Sequence, residues 1–209
     1  WEIYDAALTN QGRDASETEI TWRDNVIWNS EYSYEYWNRK LTRNILFEHN
    51  TCVDAGYCWS HAQRPNPNGA HLMFYHNAAP TTNFVVRNNV FVRTTDRSTR
   101  MFNDWRMKNP AEKDGLDMRD NLYWMPENAV YEYHVAEWDR RMNPAAKSLR
   151  FGAGADEFAK YVAATGLDKG SIYVEPKFRD EAKRDYRLVD APLSPDGTVY
   201  GARDIPGLD

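Results

Sequence analysis

Glu35 and Asp104 are carboxylates set in aromatic, polar-studded segments, Tyr32-Ser-Tyr-Glu-Tyr-Trp-Asn-Arg39 and Arg100-Met-Phe-Asn-Asp-Trp105. Two such groups can perform general acid–base work on an acetal, one protonating the leaving oxygen while the other activates water. His61 and Arg64 lie three apart in Tyr57-Cys-Trp-Ser-His-Ala-Gln-Arg64. A histidine base beside a guanidinium suits abstraction of a proton next to a carboxylate, whose developing charge the arginine neutralises. His71 and His76 follow in the long stretch from Gln63 to Asn83, where a loop over a rigid scaffold would carry binding groups. Trp37, Trp59 and Trp105 hold comparable places in the three segments, beside Asn38, Arg39 and Asn103. Indole rings in a row stack on the apolar faces of sugar rings, and flanking polar groups fix their orientation. For any one of these residues the plain alternative is a solvated aspartate or a hydrogen-bonded surface histidine.

Other combinations carry less. No HExxH or paired CxxC spacing occurs, so no metal site is expected. Glu112, Asp114, Asp117 and Asp120 cluster without the spacing of a calcium loop, and read as a charged solvent face. Gly152-Ala-Gly154 is only a fragment of a dinucleotide loop. Cys52 and Cys58 read as small buried hydrophobes, with a bridge left open.

What must position these residues is a repeat. Four nine-residue blocks begin at Ile20, Ile45, Phe84 and Leu116. Each has apolar residues at positions one and three, a charged residue at four and asparagine at six: Asn25, Asn50, Asn89 and Asn121. Apolar residues two apart turn one face of a strand inward. Asparagine tolerates the left-handed conformation, so it is expected to make the bend into a second short strand. Equivalent asparagines would then stack ~4.8 Å apart and bond along the stack. A further strand is expected after each block, at 32–39, 57–64, 100–105 and 130–134, with 6–11 as the same strand of an earlier turn. If 35 and 104 share a row, their backbones lie ~9.6 Å apart, and side chains could close that to the ~6.5–9.5 Å of an inverting hydrolase.

All eight tryptophans and every asparagine precede Pro144. This marks a boundary: residues 1–143 as repeat, 144–209 as a capping segment. Within the second part, Asp156 to Gly166 reads as one short amphipathic helix, capped by Asp156, ended by Gly166 and covering the open end of the repeat. The net charge of −5 argues against a cationic nucleic-acid surface. No apolar run is long enough to span a membrane. Two cysteines exclude a disulfide-stapled miniprotein. The chain opens on Trp1 in what reads as mid-repeat, so an upstream portion of the same protein is expected.

On the four blocks, and on Gly170-Ser-Ile-Tyr-Val-Glu-Pro-Lys-Phe-Arg-Asp180 with Asp185-Tyr-Arg-Leu188 and Leu193-Ser-Pro195, the sequence resembles the right-handed parallel β-helix proteins of the pectate-lyase-like superfamily. The resemblance implies an all-β fold, a right-handed parallel β-helix (solenoid), with a C-terminal segment that contains one short helix and packs back on the coil. It implies a carbohydrate-active enzyme cleaving a polysaccharide in an outer groove. Glycoside hydrolysis by Glu35 and Asp104 is preferred. The alternatives are a polysaccharide lyase acting by β-elimination on a uronic-acid polymer, with His61 as base and Arg64 as neutraliser, and a non-catalytic glycan-binding solenoid. No cofactor is required, although calcium serves several such enzymes. The expected setting is secreted, periplasmic or cell-surface, as in bacterial members.

Overall fold

The structure, a computed structural model, describes residues 3–11, 15–36, 40–56, 69–74, 81–94, 100–104, 115–126, 133–135 and 149–203; at 3–5, 100–104 and 133–135 it describes the backbone alone. The chain opens with β1 (Ile3–Asn10) and then repeats a three-strand unit. The first unit is β2 (Glu17–Arg23), β3 (Val26–Trp28) and β4 (Ser30–Tyr36), and the second is β5 (Thr42–Glu48), β6 (Thr51–Ala55) and β7 (Ala70–Phe74). The third is β8 (Thr81–Arg87), β9 (Val90–Thr94) and β10 (Arg100–Asp104), and the fourth is β11 (Leu116–Arg119), β12 (Leu122–Trp124) and β13 (Tyr133–Val135). There follow β14 (Leu149–Phe151), α1 (Ala155–Thr165), β15 (Ile172–Tyr173), β16 (Phe178–Asp180) and β17 (Asp185–Leu188).

Each strand of a unit pairs with its counterpart in the next, giving three sheets in the orders β1-β4-β7-β10-β13-β14, β2-β5-β8-β11 and β3-β6-β9-β12-β15. Every pairing in the second and third sheets is parallel. The first is parallel up to β13, where β14 adds antiparallel. The protein is therefore mostly β, with parallel sheets and one helix.

The nine-residue blocks fall in register. Ile20, Ile45, Phe84 and Leu116 form one row across the second sheet. With Phe47, Val86 and Met118 they face a core shared with Ile27, Cys52, Phe91 and Tyr123 of the third sheet and Tyr34, Tyr36, Leu72 and Phe74 of the first. Much of the aromatic content is spent here. Phe47 stacks on Phe91 at 6.4 Å and Phe91 on Tyr123 at 5.1 Å, while Tyr34 lies 4.8 Å from Phe47. Cys52 is free and buried in this interior, which pushes its thiol up to about 12. Cys58 lies outside the described residues.

The asparagines form the expected ladder. Asn25 Nδ2 donates to Asn50 Oδ1 at 2.8 Å, Asn50 Nδ2 to Asn89 Oδ1 at 3.1 Å and Asn89 Nδ2 to Asn121 Oδ1 at 3.0 Å. The bend itself differs from expectation. The left-handed residue is the one before each asparagine: Asp24, His49, Asn88 and Asp120, with φ between 53° and 57°. Turning the chain one residue early leaves each asparagine's main-chain N–H and side chain free to bond its neighbours.

The first-sheet strand of the second unit also differs. The expected strand at 57–64 lies outside the described residues; the strand between β4 and β10 is Ala70–Phe74. His71, expected on a loop, is therefore in β7.

Helix α1 begins after Gly154, which stands at the N-cap with no side-chain cap, so Asp156 lies within the first turn; Gly166 ends it in the left-handed conformation as expected. Phe158 and Tyr161 are its buried residues, and Phe158 lies 5.3 Å from Tyr123 of β12. The segment after α1 adds β15 to the third sheet and then turns over that sheet's outer face. Tyr200 packs there on Val90, Val92 and Leu122, with Phe178, Leu188 and Trp124 alongside. Trp28 is covered from outside by Tyr186 and by the Arg184 guanidinium, 5.4 Å from its ring. Trp22 is half-buried against the interior, its Nε1 donating to Asn10 Oδ1 at 2.9 Å.

Candidate functional site

Glu35 lies between Tyr34 and Tyr36, both in the core, so alternation turns it to the other face of the first sheet. Its carboxylate accepts hydrogen bonds from Thr9 Oγ1, at 3.0 Å, and from Gln11 Nε2, both at Oε2. Only 3% of the residue is exposed. A carboxylate held by one donor from the neighbouring strand and one from the residue just after it is fixed in orientation, which acid–base chemistry and sugar-hydroxyl recognition both require.

The register sets Glu35's companions. Glu35 pairs with Met73, Met73 with Asn103 and Asn103 with His134. Asp104 falls one place along, in the row of Phe74 and Tyr36. The strand thus enters one residue out of step with the expected pairing of Glu35 and Asp104, and period-two alternation makes one residue a change of row. Asn103 shares Glu35's row. His134 was not expected there. Its signal was available, since His134 closes the fourth of the predicted segments.

His71 is fully buried. Its Nε2 lies 2.6 Å from the Arg93 carbonyl oxygen, which can only accept, so Nε2 carries the proton. Nδ1 then accepts from the Ser33 hydroxyl at 3.0 Å. Burial lowers this imidazole to about 4, which keeps it neutral. His71 ties the first sheet to β9, and no ring nitrogen is left for a ligand. Of the other expected groups, Trp37, Asn38, Arg39, Trp59, His61, Arg64, His76 and Trp105 lie outside the described residues. Glu112 and Asp114 do too, while Asp117 and Asp120 both pair with Arg119. Among the described residues no group of three or more His, Cys, Asp or Glu is placed to hold a metal ion, and no helix is long and apolar enough to cross a membrane.

The tail runs along the row of bends. Gly201 N–H donates to the Asn88 carbonyl at 2.8 Å, and Ala202 N–H to Thr51 Oγ1 at 2.9 Å. Arg203 grips both carboxylate oxygens of Asp24 at 2.9 and 2.7 Å. A Cβ on Gly201 would fall 2.9 Å from Val90 Cγ2, so only glycine permits this approach. The Arg203 hydrogen bonds hold Asp24 at about 2. Ser194, Thr198 and Asn88 hold Asp196, which bonds Asn88, below the usual carboxylate range. Both folded values are depressed, so the stabilisation is complete above the ordinary value near 4 and is lost as pH falls from there through about 2. In an NMR titration the Gly201 and Ala202 amides should shift with a midpoint below 4. Arg203→Ala should move that midpoint upward; an unmoved midpoint would separate the tail from Asp24.

The arrangement defines a class no narrower than an all-β protein built on parallel sheets. Comparison with protein-family models, with curated proteins and with solved structures finds no match to this chain.

Proposed function

We propose that the chain is a right-handed parallel β-helix, and that the outer face of its first sheet processes a polysaccharide as a glycoside hydrolase with Glu35 as one acid–base carboxylate. The three-sheet parallel path and the asparagine ladder support the coil. The observation that carries the chemistry is the Glu35 carboxylate fixed by Thr9 and Gln11, in one row with Asn103 and His134. Asp104 stands in the row of the core residues Tyr36 and Phe74 and not in Glu35's row, so the hydrolase reading takes its second carboxylate from another residue. Trp37, Trp59 and Trp105 supply the stacking row, with Asn38, Arg39 and His76 as polar contacts. In the lyase version His61 takes the proton and Arg64 neutralises the uronate. A secreted, periplasmic or cell-surface setting goes with either, since such polymers lie outside the cell.

A second reading is a non-catalytic glycan-binding surface: Glu35 is enclosed and His71 has no exposed surface, which weighs against either as an acid–base group. A panel of polysaccharides separates the three. Hydrolysis gives new reducing ends, elimination gives products that absorb in the ultraviolet, and a binding surface gives neither but retains affinity. Glu35→Gln should lower hydrolysis by ~100- to 10,000-fold while glycan affinity persists. Unchanged turnover in that variant removes the hydrolase assignment.

A further inference from the structure

The asparagine ladder has a direction. Asn50 Oδ1 accepts from the Asn25 main-chain N–H at 3.1 Å as well as from its Nδ2. Asn89 Oδ1 accepts the same pair from Asn50, and Asn121 Oδ1 from Asn89. Each later Nδ2 also reaches back to a carbonyl of the preceding unit, Asn50 to Trp22, Asn89 to Phe47 and Asn121 to Val86. The far end is closed: Asn121 N–H donates to Ser171 Oγ at 2.8 Å and Asn121 Nδ2 to Asp168 Oδ1 at 3.0 Å.

The near end is open. Among the described residues no group donates to Asn25 Oδ1, the acceptor that its three counterparts fill twice over. There β1, β2 and β3 are the outermost strands of their sheets. Ile20 and Trp22 are half-buried, whereas their counterparts Ile45 and Phe47 are 1% and 0% exposed. The missing layer is thus specified: apolar side chains over Ile20 and Trp22, and a main-chain N–H plus an amide donor over Asn25.

We propose that this end is a docking surface for one further strand–bend–strand turn that carries asparagine at its bend and leads into β1. A second copy does not fit. Two such ends face to face would set one Asn25 Oδ1 against the other, with each Nδ2 already committed to Asn50 and to the Arg23 carbonyl. The opposite end of another copy is closed by Ser171, Asp168 and α1. Chain order selects the covalent occupant. Strands pass from the second sheet to the third and then the first, so a turn laid on β2 and β3 would run directly into β1. The inference is independent of the glycan reading.

The test joins a copy of residues 81–99 ahead of Trp1 and follows amide hydrogen exchange. The extended chain should remain monomeric, with the amides of Ile20–Arg23 and Val26–Trp28 exchanging about tenfold more slowly. Asn89→Leu within the copied segment should abolish that slowing around Asn25. Three results overturn the proposal: unchanged exchange in the extended chain, equal slowing with the asparagine-free copy, or slowing in the unextended chain that grows with concentration and so reports a second copy.

Discussion

Asn89→Ala should destabilise the protein by about 3–5 kcal/mol, one of the largest effects a single substitution can have in this chain. Asn89 is fully buried. Its Oδ1 is the acceptor for the Asn50 main-chain N–H at 2.9 Å, and its Nδ2 serves both Asn121 Oδ1 and the Phe47 carbonyl. Alanine removes these contacts at once and leaves Asn50 N–H, Asn50 Nδ2, Asn121 Oδ1 and the Phe47 carbonyl around a space of a few heavy atoms, too small for water to replace every bond. A buried polar group without a partner costs ~1–3 kcal/mol, and two or three are created together. At 209 residues the loss corresponds to a Tm drop of roughly 10 °C. Asn25→Ala is the control. It removes the same side chain from the half-buried end rung and should cost about 1 kcal/mol. Asn89→Asp is sharper still. It keeps the acceptor for Asn50 but sets a carboxylate oxygen against Asn121 Oδ1, so part of its stability should return below pH ~4, when a proton restores the donor. Equal losses at Asn25 and Asn89 in urea unfolding would mean that the ladder is not cooperative.

This ladder was legible in the sequence because its chemistry is local and repeated. Nine residues carry the two apolar positions, the charge and the asparagine, and four copies fix the register. Asp24, His49, Asn88 and Asp120 are all of the types that take the left-handed conformation most readily, but the asparagine that follows each is another such type, so residue type alone did not say which of the two makes the bend. Nor could local pattern choose between Tyr57–Arg64 and Ala70–Phe74. Both alternate acceptably, and loop closure costs only slightly more for the longer connection. Pairing partners make the choice: Ala70 and Leu72 meet Tyr32 and Tyr34, and His71 meets Ser33. The candidate site suffered from the same cause. Glu35 was found by type and neighbours, but its row is fixed by pairings across residues 73, 103 and 134, and the one-residue step that parts it from Asp104 has no local signature.

Asp168→Ala should be as damaging as Asn89→Ala, about 4 kcal/mol, with the loss concentrated at one end of the molecule. Asp168 follows the helix at no repeat spacing, yet it is where the ladder stops. It is 1% exposed and accepts from Asn121 Nδ2, Ser171 Oγ, Tyr123 OH and Tyr161 OH at 2.8–3.1 Å. Those donors come from the bend before β12, β12 itself, α1 and the segment between α1 and β15, so one carboxylate joins the last unit to its cover. Alanine strands four donors and must also hold the left-handed backbone found at 168, φ 56°. Asp168→Asn keeps one oxygen, and the tyrosine hydroxyls can rotate to meet its amide, so it should cost only ~1–2 kcal/mol. Its pH dependence runs opposite to that of the tail. Burial raises this carboxyl, against the pull of its donors. The folded state then binds the proton more tightly than the unfolded chain, so the contribution is complete below the ordinary value near 4 and declines as pH rises through the folded value. Hydrogen exchange separates the alternatives. In Asp168→Ala the amides of α1 and β15 should lose protection while those of β5 and β8 keep theirs. Uniform loss across all strands would mean that the end cover and the sheets unfold as one unit, and loss below 1 kcal/mol would mean that Phe158 and Tyr161 hold the cover by packing alone.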